Sequence, residues 1–268
     1  MSNRGNHITA FETEQFLILG HRGSPREAPE NTLPSFLKAR EEGAGGIELD
    51  VHLARDGAIA VFHNYTLSKT TGGRGLLAGR TLEELKQLDA GSSFSSEFAG
   101  TPIPTLQEVI EALDEDTFIM IEIKSYLGKA NGQIAGAVAG VVAEYDLYER
   151  VVASSFNPFI LKKVKEADRR IPVGFLHHLP CPGFPGGKSA PPGGPEVLHP
   201  FYKVVGKSYM EQARRRGCRV IPWTVNEVAE MHRMIALGVE GLISDRPGVI
   251  KDALRSAAGE EKGGEHAR

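Results

Sequence analysis

The chain has 268 residues, a size that suits one large domain or two small ones. With 41% hydrophobic residues and a net charge of -3, it is an ordinary globular composition that indicates neither a nucleic-acid nor an anionic-membrane partner. Two cysteines, Cys181 and Cys218, are too few for a disulfide framework, so we expect free thiols. We see no apolar leader and no run of ~18 apolar residues, and we therefore expect no secretory signal, no membrane span and a cytoplasmic location.

Strand-like and helix-like segments alternate along the sequence. Strands are predicted at 16–21, 45–51, 59–63, 117–124, 151–156, 172–177, 197–205, 218–225 and 241–245. Helices are predicted at 32–42, 105–113, 133–145, 158–168, 208–216, 227–237 and 247–258. This alternation is typical of a parallel sheet covered by helices, and with the chain length it indicates an α/β fold of the TIM (β/α)8 barrel type.

Nine predicted strands are one more than such a barrel holds. No helix separates the second and third, and Asp56-Gly57 between them is a hairpin signal, so we interpret the third as an antiparallel partner outside the count. A small insertion with one short helix then occupies approximately residues 64–104, after the second barrel strand. The predicted organisation is an N-terminal extension at 1–15, a barrel domain at 16–258 and a flexible tail at 259–268.

The stretch "PCPGFPGGKSAPPGGP", residues 180–195, contains "GGKS". A phosphate-binding P-loop needs four residues between its first glycine and the Gly-Lys pair, and only three separate Gly183 from Gly187. We interpret the segment as a surface loop near the mouth of a site.

Acidic side chains share one face of two predicted strands. Glu48 and Asp50 alternate with apolar residues in "GIELDV", and Glu122 and Lys124 do so in "IEIK". Buried carboxylates require a cationic partner, and three of them suit a hard divalent ion such as Mg²⁺ or Ca²⁺ better than zinc. Lys124 is then either a counter-ion or a phosphate contact.

Two histidines, His21 and His63, close predicted strands where barrel enzymes collect catalytic groups. Near neutral pH one can accept a proton while the other donates one. Arg22 follows His21 and can hold an oxyanion with two hydrogen bonds. His52 lies on the face of the acidic pair, either supporting the site or marking the strand exit.

Four further residues are candidates for a structural or functional role, three of them with more than one interpretation. Asn31 is the expected N-cap of the first helix with Thr32 as the alternative, and Glu30 is either structural or an aid to the cation site. Trp223, at a strand end, is either a core aromatic or an apolar wall for a small substrate. Asn226 is expected to cap the helix that follows.

Taken together, these motifs resemble the glycerophosphodiester phosphodiesterase family. The matching pieces run in order from roughly Leu17 to Gly248: "HRG", "PENT", "GIELDVHLARDGAIAVFHN", "TTGGRG", "IPTLQEV", "IEIK", "SSF", "WTVN" and "GLISDRP". Each piece is weak alone, whereas their joint order is specific. The resemblance implies a TIM barrel that uses a divalent metal ion, Mg²⁺ or Ca²⁺, to hydrolyse glycerophosphodiesters to sn-glycerol 3-phosphate and an alcohol.

By position, the resemblance implies a role for each site residue. His21 and His63 are the acid/base pair; Glu48, Asp50 and Glu122 are the metal ligands; Arg22 and Lys124 contact phosphate; and Trp223 faces the substrate. Asn64 departs from the family, which usually has Asp after this histidine, and this affects the orientation of His63. The implied partner is a small-molecule glycerophosphodiester.

Three other functions compete with this one. A lysophospholipase D or phosphoinositide-type diesterase would keep the machinery and change the substrate. An aldolase-like barrel would use Lys124 as a Schiff-base lysine, although an acidic cluster would hold that lysine protonated. A non-catalytic barrel would bind without cleaving, but it is expected to lack at least one of the chemical groups.

Overall fold

The computed structural model describes residues 16–125, 130–178 and 194–264, with the backbone alone at residue 130 and at 257–264. The predicted N-terminal extension lies outside the described residues, as do positions 180–193 of the Pro/Gly loop and the last four residues of the predicted tail. Cys181 falls in that loop, while Cys218 is a buried free thiol.

A single nine-stranded sheet runs through the described residues. Its strands are β1 Leu17–His21, β2 Gly46–Leu53, β3 Ile59–Val61, β4 Phe118–Ile123, β5 Val151–Ser155, β6 Val173–His177, β7 Val197–Pro200, β8 Arg219–Val220 and β9 Gly241–Ser244. Eight are parallel in the order β8-β7-β6-β5-β4-β2-β1-β9. The amides of Glu240 and Ile243 donate to the carbonyls of Val220 and Pro222, so the two ends of the sheet meet. The predicted α/β barrel is thus confirmed, as a nearly closed one.

Helices alternate with the strands around the outside. They are α1 Leu33–Glu41, α2 Leu82–Lys86, α3 Leu106–Ala112, α4 Ala130–Glu144, α5 Pro158–Ala167, α6 Lys207–Arg215, α7 Val228–Leu237 and α8 Pro247–Gly264. Capping boxes start α2 and α3, where Thr81 pairs with Glu84 and Thr105 with Glu108. The last helix extends six residues beyond its predicted end at 258, through residues 259–264, of which three are glutamate or lysine and three are glycine.

The third strand is the antiparallel partner that the Asp-Gly signal predicted. β3 pairs with β2 as its one partner strand among the described residues, with a single further bridge from Ala60 to Thr105, and Gly57 adopts φ 90° in the connecting turn, a conformation that favours glycine. β3 ends at Val61, so His63 lies in the following loop and does not close the strand as expected. Between β3 and α3 the chain wraps a small apolar core of its own that includes Leu67, Leu77 and Leu85.

Two strands, β7 and β8, are shorter than predicted by five residues or more. The strand expected at 197–205 ends at Pro200, and a single 3-10 turn follows at Tyr202–Val204 because the neighbouring β6 already ends at His177. In the strand expected at 218–225 only Arg219–Val220 is regular, since Pro222 has no N–H to give to the ladder.

Side chains alternate across the barrel wall as the sequence predicts. Ile47, Leu49 and Val51 point outward into the core under the helices. Inward-pointing residues fill the barrel interior, among them Leu19, Met120, Val152, Ile221 and Ile243. These apolar layers form the floor beneath the polar side chains at the carboxyl ends of the strands. Among the described residues, no helix is long and apolar enough to cross a bilayer.

Candidate active site

Three carboxylates meet at the carboxyl end of the barrel. Glu48 and Asp50 project from β2 and Glu122 from β4, where Glu122 is the register partner of Asp50. Each offers an oxygen, and these oxygens lie within 4.8 Å of one another. All three side chains are buried or nearly so. The structure therefore brings together the acidic set that the strand alternation predicted.

Two cations lie against this cluster. Lys124 Nζ is 2.6 Å from both Asp50 Oδ1 and Glu122 Oε1. Arg22 Nε is 3.3 Å from Asp50 Oδ2, and its Nη1 donates to Glu30 Oε1 at 3.1 Å. Glu30 thus contacts the guanidinium rather than the carboxylate cluster.

The cluster is unevenly charged. Burial raises the pKa of Glu48 well above its usual range, and the charges of Asp50 and Glu122 act in the same direction. Burial and the Asp50 charge likewise raise the pKa of Glu122 to about 7. Burial opposes ionisation of Asp50 too, but Lys124 and Arg22 outweigh it and hold the Asp50 pKa below its ordinary value. The two cations therefore stabilise the ionised form of Asp50, whereas Glu48 and Glu122 have too little positive charge nearby to favour their ionised forms.

Lys124 is held protonated. Burial lowers its pKa, but the carboxylates of Asp50 and Glu122 outweigh burial, so the net shift is upward. A Schiff-base lysine must lose its proton to act as a nucleophile, so this environment argues against the aldolase alternative.

His21 forms a dyad with Asp245 that local sequence patterns did not predict. Its Nδ1 lies 2.6 Å from Asp245 Oδ1, just beyond the end of β9. Asn226 Nδ2 donates to the other Asp245 oxygen at 2.7 Å. Burial opposes ionisation of Asp245, yet the hydrogen bond to His21 outweighs it and lowers the pKa of Asp245. The inward parity of Gly241 and Ile243 on β9 continues to Asp245 and was the available signal.

His63 approaches the cluster from the insertion side. Asn64 Oδ1 lies 3.1 Å from His63 Nδ1, and the His63 carbonyl accepts a hydrogen bond from His52 Nε2 at 3.2 Å. Burial lowers the pKa of His63 to about 4. Of the two interpretations of His52, support of the site therefore fits, since it anchors the His63 backbone.

The loop after β1 is fixed by the acidic cluster itself. Arg22 and Asn31 both adopt φ 57°, a left-handed conformation that is costly for residues with a side chain. The Arg22 amide donates to Glu48 Oε2 at 3.0 Å. Asn31 donates through Nδ2 to Asp50 Oδ2 at 2.8 Å and accepts from the Asp50 amide at 3.1 Å. These bonds offset the backbone strain and place Arg22 beside the carboxylates.

Two capping predictions are wrong for one reason. The N-cap of α1 is Thr32, the alternative, because the Asn31 side chain is committed to Asp50. The N-cap of α7 is Glu227, because Asn226 bonds Asp245 and accepts from Ser244 Oγ. Both asparagines orient site carboxylates instead of helix ends.

Trp223 belongs to an aromatic group at the barrel mouth. Its Nε1 donates to the His199 carbonyl at 2.7 Å, which fixes the indole. Its ring centroid lies 4.8–5.8 Å from the rings of His178, Phe156 and Phe201, which follow β6, β5 and β7. The ring is partly exposed at this rim rather than sealed in the core.

Comparison with known proteins decides the family. Residues 21–249 match the model of the glycerophosphoryl diester phosphodiesterase family. The chain belongs to this family. The resemblance found in the sequence is thereby confirmed, and with it membership in a family of phosphodiester hydrolases.

Relatives from bacteria match over nearly their whole length. A glycerophosphodiester phosphodiesterase from Caldanaerobacter subterraneus subsp. tengcongensis is 40% identical over 240 residues, which covers 89% of this chain and 98% of the relative. One from Bacillus altitudinis is 34% identical, covering 86% of this chain and 94% of the relative.

Solved structures of the family share the fold. A phosphodiesterase from Oleispira antarctica, determined in complex with the product sn-glycerol-3-phosphate, has a TM-score of 0.80 at 29% identity. That alignment covers 91% of this chain and 99% of the Oleispira chain. A glycerophosphodiester phosphodiesterase from Agrobacterium tumefaciens gives a TM-score of 0.75 at 25% identity over 88% of this chain and 99% of its own.

Proposed function

We propose that this protein hydrolyses glycerophosphodiesters to sn-glycerol 3-phosphate and an alcohol in a metal-dependent reaction. The observation that carries the proposal is the meeting of Glu48, Asp50 and Glu122 beside two cations, with His21 and His63 on either side. The relatives named as glycerophosphodiester phosphodiesterases and the product-bound Oleispira structure support the choice of substrate.

The acidic cluster fits a divalent metal ion. Its donors are carboxylate oxygens, which hard ions such as Mg²⁺ and Ca²⁺ prefer. The raised pKa values of Glu48 and Glu122 indicate a shortage of positive charge between them. Glu48, Asp50 and Glu122 would hold the ion, with Mg²⁺ or Ca²⁺ as the proposed species. When bound, such an ion neutralises phosphate charge and polarises a phosphate oxygen.

Arg22 and Lys124 are the proposed phosphate contacts. The guanidinium of Arg22 has a planar fork suited to two phosphate oxygens, and Glu30 and Asp50 hold it at the rim of the cluster. Lys124 follows the end of β4 and supplies a second positive charge, with its Nζ 2.6 Å from Glu122 Oε1. Both charges would stabilise the negative charge that grows on phosphate in the transition state.

The two histidines are the proposed proton carriers. Asp245 Oδ1 at His21 and Asn64 Oδ1 at His63 lie within hydrogen-bond distance of Nδ1, so we assign the proton to Nδ1 and the working role to Nε2. One histidine removes a proton from the nucleophile, which is water or the neighbouring glycerol hydroxyl. The other gives a proton to the departing alcohol oxygen as its bond to phosphorus breaks. Attack by the hydroxyl would give a cyclic phosphate that water then opens.

Trp223 is proposed to form an apolar wall of the substrate-binding site. Its indole is fixed by the hydrogen bond to His199 and borders the barrel mouth. We also propose that residues 16–258, insertion included, form the hydrolytic domain; the cytoplasmic location stays a prediction.

The deciding experiment is an assay of sn-glycerol 3-phosphate release from glycerophosphocholine and glycerophosphoethanolamine with Mg²⁺, Ca²⁺ or EDTA. We expect turnover with metal and none with EDTA. A lysophospholipid in parallel tests the lysophospholipase D alternative, and binding without turnover would favour the non-catalytic one.

The histidine assignment has its own test in the same assay. Changing His21 or His63 to Ala should lower kcat by about 10²–10⁴-fold, because each proton transfer contributes on that scale. Metal binding, measured by calorimetry, should survive in both variants. Near-normal turnover in both would refute the assignment.

A further inference from the structure

A cleft of about 260 Å³ opens beside the acidic cluster, between the insertion and the loop after β5. Its inner end is lined by His63, Glu122 and Lys124, and its outer walls include Tyr65 and Phe156. Tyr65 and Phe156 are 44% and 38% exposed, so two large aromatic residues open to solvent in one cleft. The cleft therefore joins the proposed reaction centre to solvent between two aromatic walls.

Both aromatic rings are held in place. The Tyr65 hydroxyl donates to the Ser125 carbonyl at 2.8 Å, and its ring meets His52 edge-on. Phe156 stacks on His178 with ring centroids 5.0 Å apart and meets Trp223 edge-on at 5.4 Å. Rings fixed in this way present an apolar, electron-rich surface without first losing rotamer entropy.

Most polar side chains along the described lining already have partners, and the buried atom without one, Asn64 Nδ2, is a hydrogen-bond donor that cannot serve an ammonium group. Glu122 pairs with Lys124 at 2.6 Å, and His63 Nδ1 lies 3.1 Å from Asn64 Oδ1. Ser125 Oγ accepts from Asn157 Nδ2 at 2.9 Å. A ligand group that needs several hydrogen bonds would have to break these pairs or lose its hydration without replacement.

This chemistry discriminates between the two halves of a glycerophosphodiester. The glycerol half carries two hydroxyls, each of which needs a partner when buried. A quaternary ammonium group has no N–H to satisfy, and it gains attraction from the faces of aromatic rings. A primary ammonium carries three donors that the engaged lining does not serve.

We propose that the cleft between Tyr65 and Phe156 receives the head group of the substrate and selects alcohols bearing a quaternary ammonium, of the choline type, over those bearing a primary ammonium. The inference rests on the proposed diesterase function and adds to it the class of leaving alcohol. The two rings are specificity residues and take no part in proton transfer.

The test compares kcat/KM for glycerophosphocholine and glycerophosphoethanolamine in the full-length, metal-loaded protein. We expect the wild type to favour the choline ester by about fivefold or more, the scale of a desolvated cation–π contact. Tyr65→Leu and Phe156→Leu should each reduce that ratio by about threefold, whereas Tyr65→Phe, which keeps the ring, should retain it.

Phe159→Leu is the matched control. Phe159 is a phenylalanine of similar exposure, 43%, three residues after Phe156, and it is not part of the cleft lining. Its replacement should leave the ratio unchanged. A second measurement uses only the wild-type protein, so it does not depend on whether the variants fold. Tetramethylammonium should inhibit hydrolysis at about fivefold lower concentration than methylammonium, at equal ionic strength.

The outcomes separate the two proposals. Equal kcat/KM for both esters, or a preference that Tyr65→Leu and Phe156→Leu leave intact, overturns the cleft assignment and leaves the diesterase function standing. Failure of the folded, metal-loaded protein to cleave any glycerophosphodiester overturns both.

Discussion

His21 and Asp245 are separated by 224 positions in the chain, yet His21 Nδ1 and Asp245 Oδ1 lie 2.6 Å apart. The contact exists because β1 and β9, the first and last strands of the barrel, are parallel neighbours with Gly20 paired to Ser244. A carboxylate behind a histidine fixes which ring nitrogen carries the proton and how the ring is oriented.

Asp245→Asn should therefore impair catalysis more than binding. The amide can turn its NH₂ toward Nδ1, which forces the proton of the neutral ring onto Nε2, the nitrogen proposed to work. We expect kcat to fall by about 10²-fold or more, with KM changed by less than about threefold. Asp252→Asn, which changes an exposed carboxylate on α8, is the control. A rise in KM with kcat unchanged would indicate a binding role instead.

Asn64→Asp should raise the pKa of His63. Burial holds that pKa at about 4, and a carboxylate in place of the Asn64 amide would stabilise the imidazolium 3.1 Å away. We expect an upward shift of about one unit or more, read from the His63 ring protons in an NMR titration. Gln87→Glu, an added charge at an exposed position, should leave it unchanged. No movement in Asn64→Asp would mean that Asn64 does not set the environment of His63.

Glu122→Gln should alter how stability depends on pH in metal-free protein. Burial raises the pKa of Glu122 from 4.5 to about 7, so between those values the folded state binds a proton that the unfolded state releases. The free energy of unfolding should thus fall as pH rises through this window, by roughly 1–3 kcal/mol, and the stabilising contribution is complete below pH 4.5.

Urea denaturation in EDTA at pH 5 and pH 8 checks this prediction. The decline should be smaller in Glu122→Gln than in wild type, and Mg²⁺ or Ca²⁺ should restore wild-type stability at pH 8. Glu83→Gln, at an exposed position on α2, should follow the wild type. Parallel curves for wild type and Glu122→Gln would contradict the assigned shift.

Arg22→Lys should lower kcat/KM by about 10–100-fold. Lysine keeps the charge but cannot form two parallel hydrogen bonds to phosphate, and its ammonium cannot bridge Glu30 and Asp50 as the guanidinium does. Arg26→Lys, an exposed position in the same loop, should retain activity within about twofold. Steady-state kinetics on both variants measure kcat/KM. Equal kcat/KM values for Arg22→Lys and Arg26→Lys would show that Arg22 does not contact the phosphate.

Gly23→Ala should destabilise the loop that carries Arg22. Gly23 has φ 91°, and a Cβ there would lie 2.4 Å from Ser35 Oγ and 2.6 Å from the Ser35 carbonyl oxygen. We expect a loss of roughly 2–4 kcal/mol in the free energy of unfolding. Gly79→Ala, where no atom lies within 4 Å, should cost far less in the same urea titration. A similar cost for both would show that the Ser35 contact relaxes freely.

Local patterns in the sequence predict much of this molecule. Alternation alone places Glu48 and Asp50 on the inner face of β2 and their apolar neighbours on the outer face, because side chains on a strand alternate strictly. The Asp-Gly pair predicts the hairpin for a similar reason, since it acts through two adjacent residues.

Such local patterns do not predict the contacts that depend on the closed barrel. Asn31 and Asn226 have the side chain of a helix cap, and only the three-dimensional structure reveals the carboxylates that compete for them. The ends of β7 and β8 depend on where β6 stops and on Pro222, so strand length was overestimated from apolar content. The inward parity of β9 extends to Asp245, but the pairing of Asp245 with His21 required knowing that β9 lies beside β1.

Because β9 lies beside β1, His21 can be paired with Asp245 only after the chain has been synthesised as far as β9. A ribosome that has produced the residues proposed for metal, phosphate and proton handling up to Lys124 has still not made the partner of His21. The barrel must close by docking β9 against β1 before that imidazole is oriented. A growing or truncated chain is accordingly expected to remain hydrolytically poor until its final strand is in place.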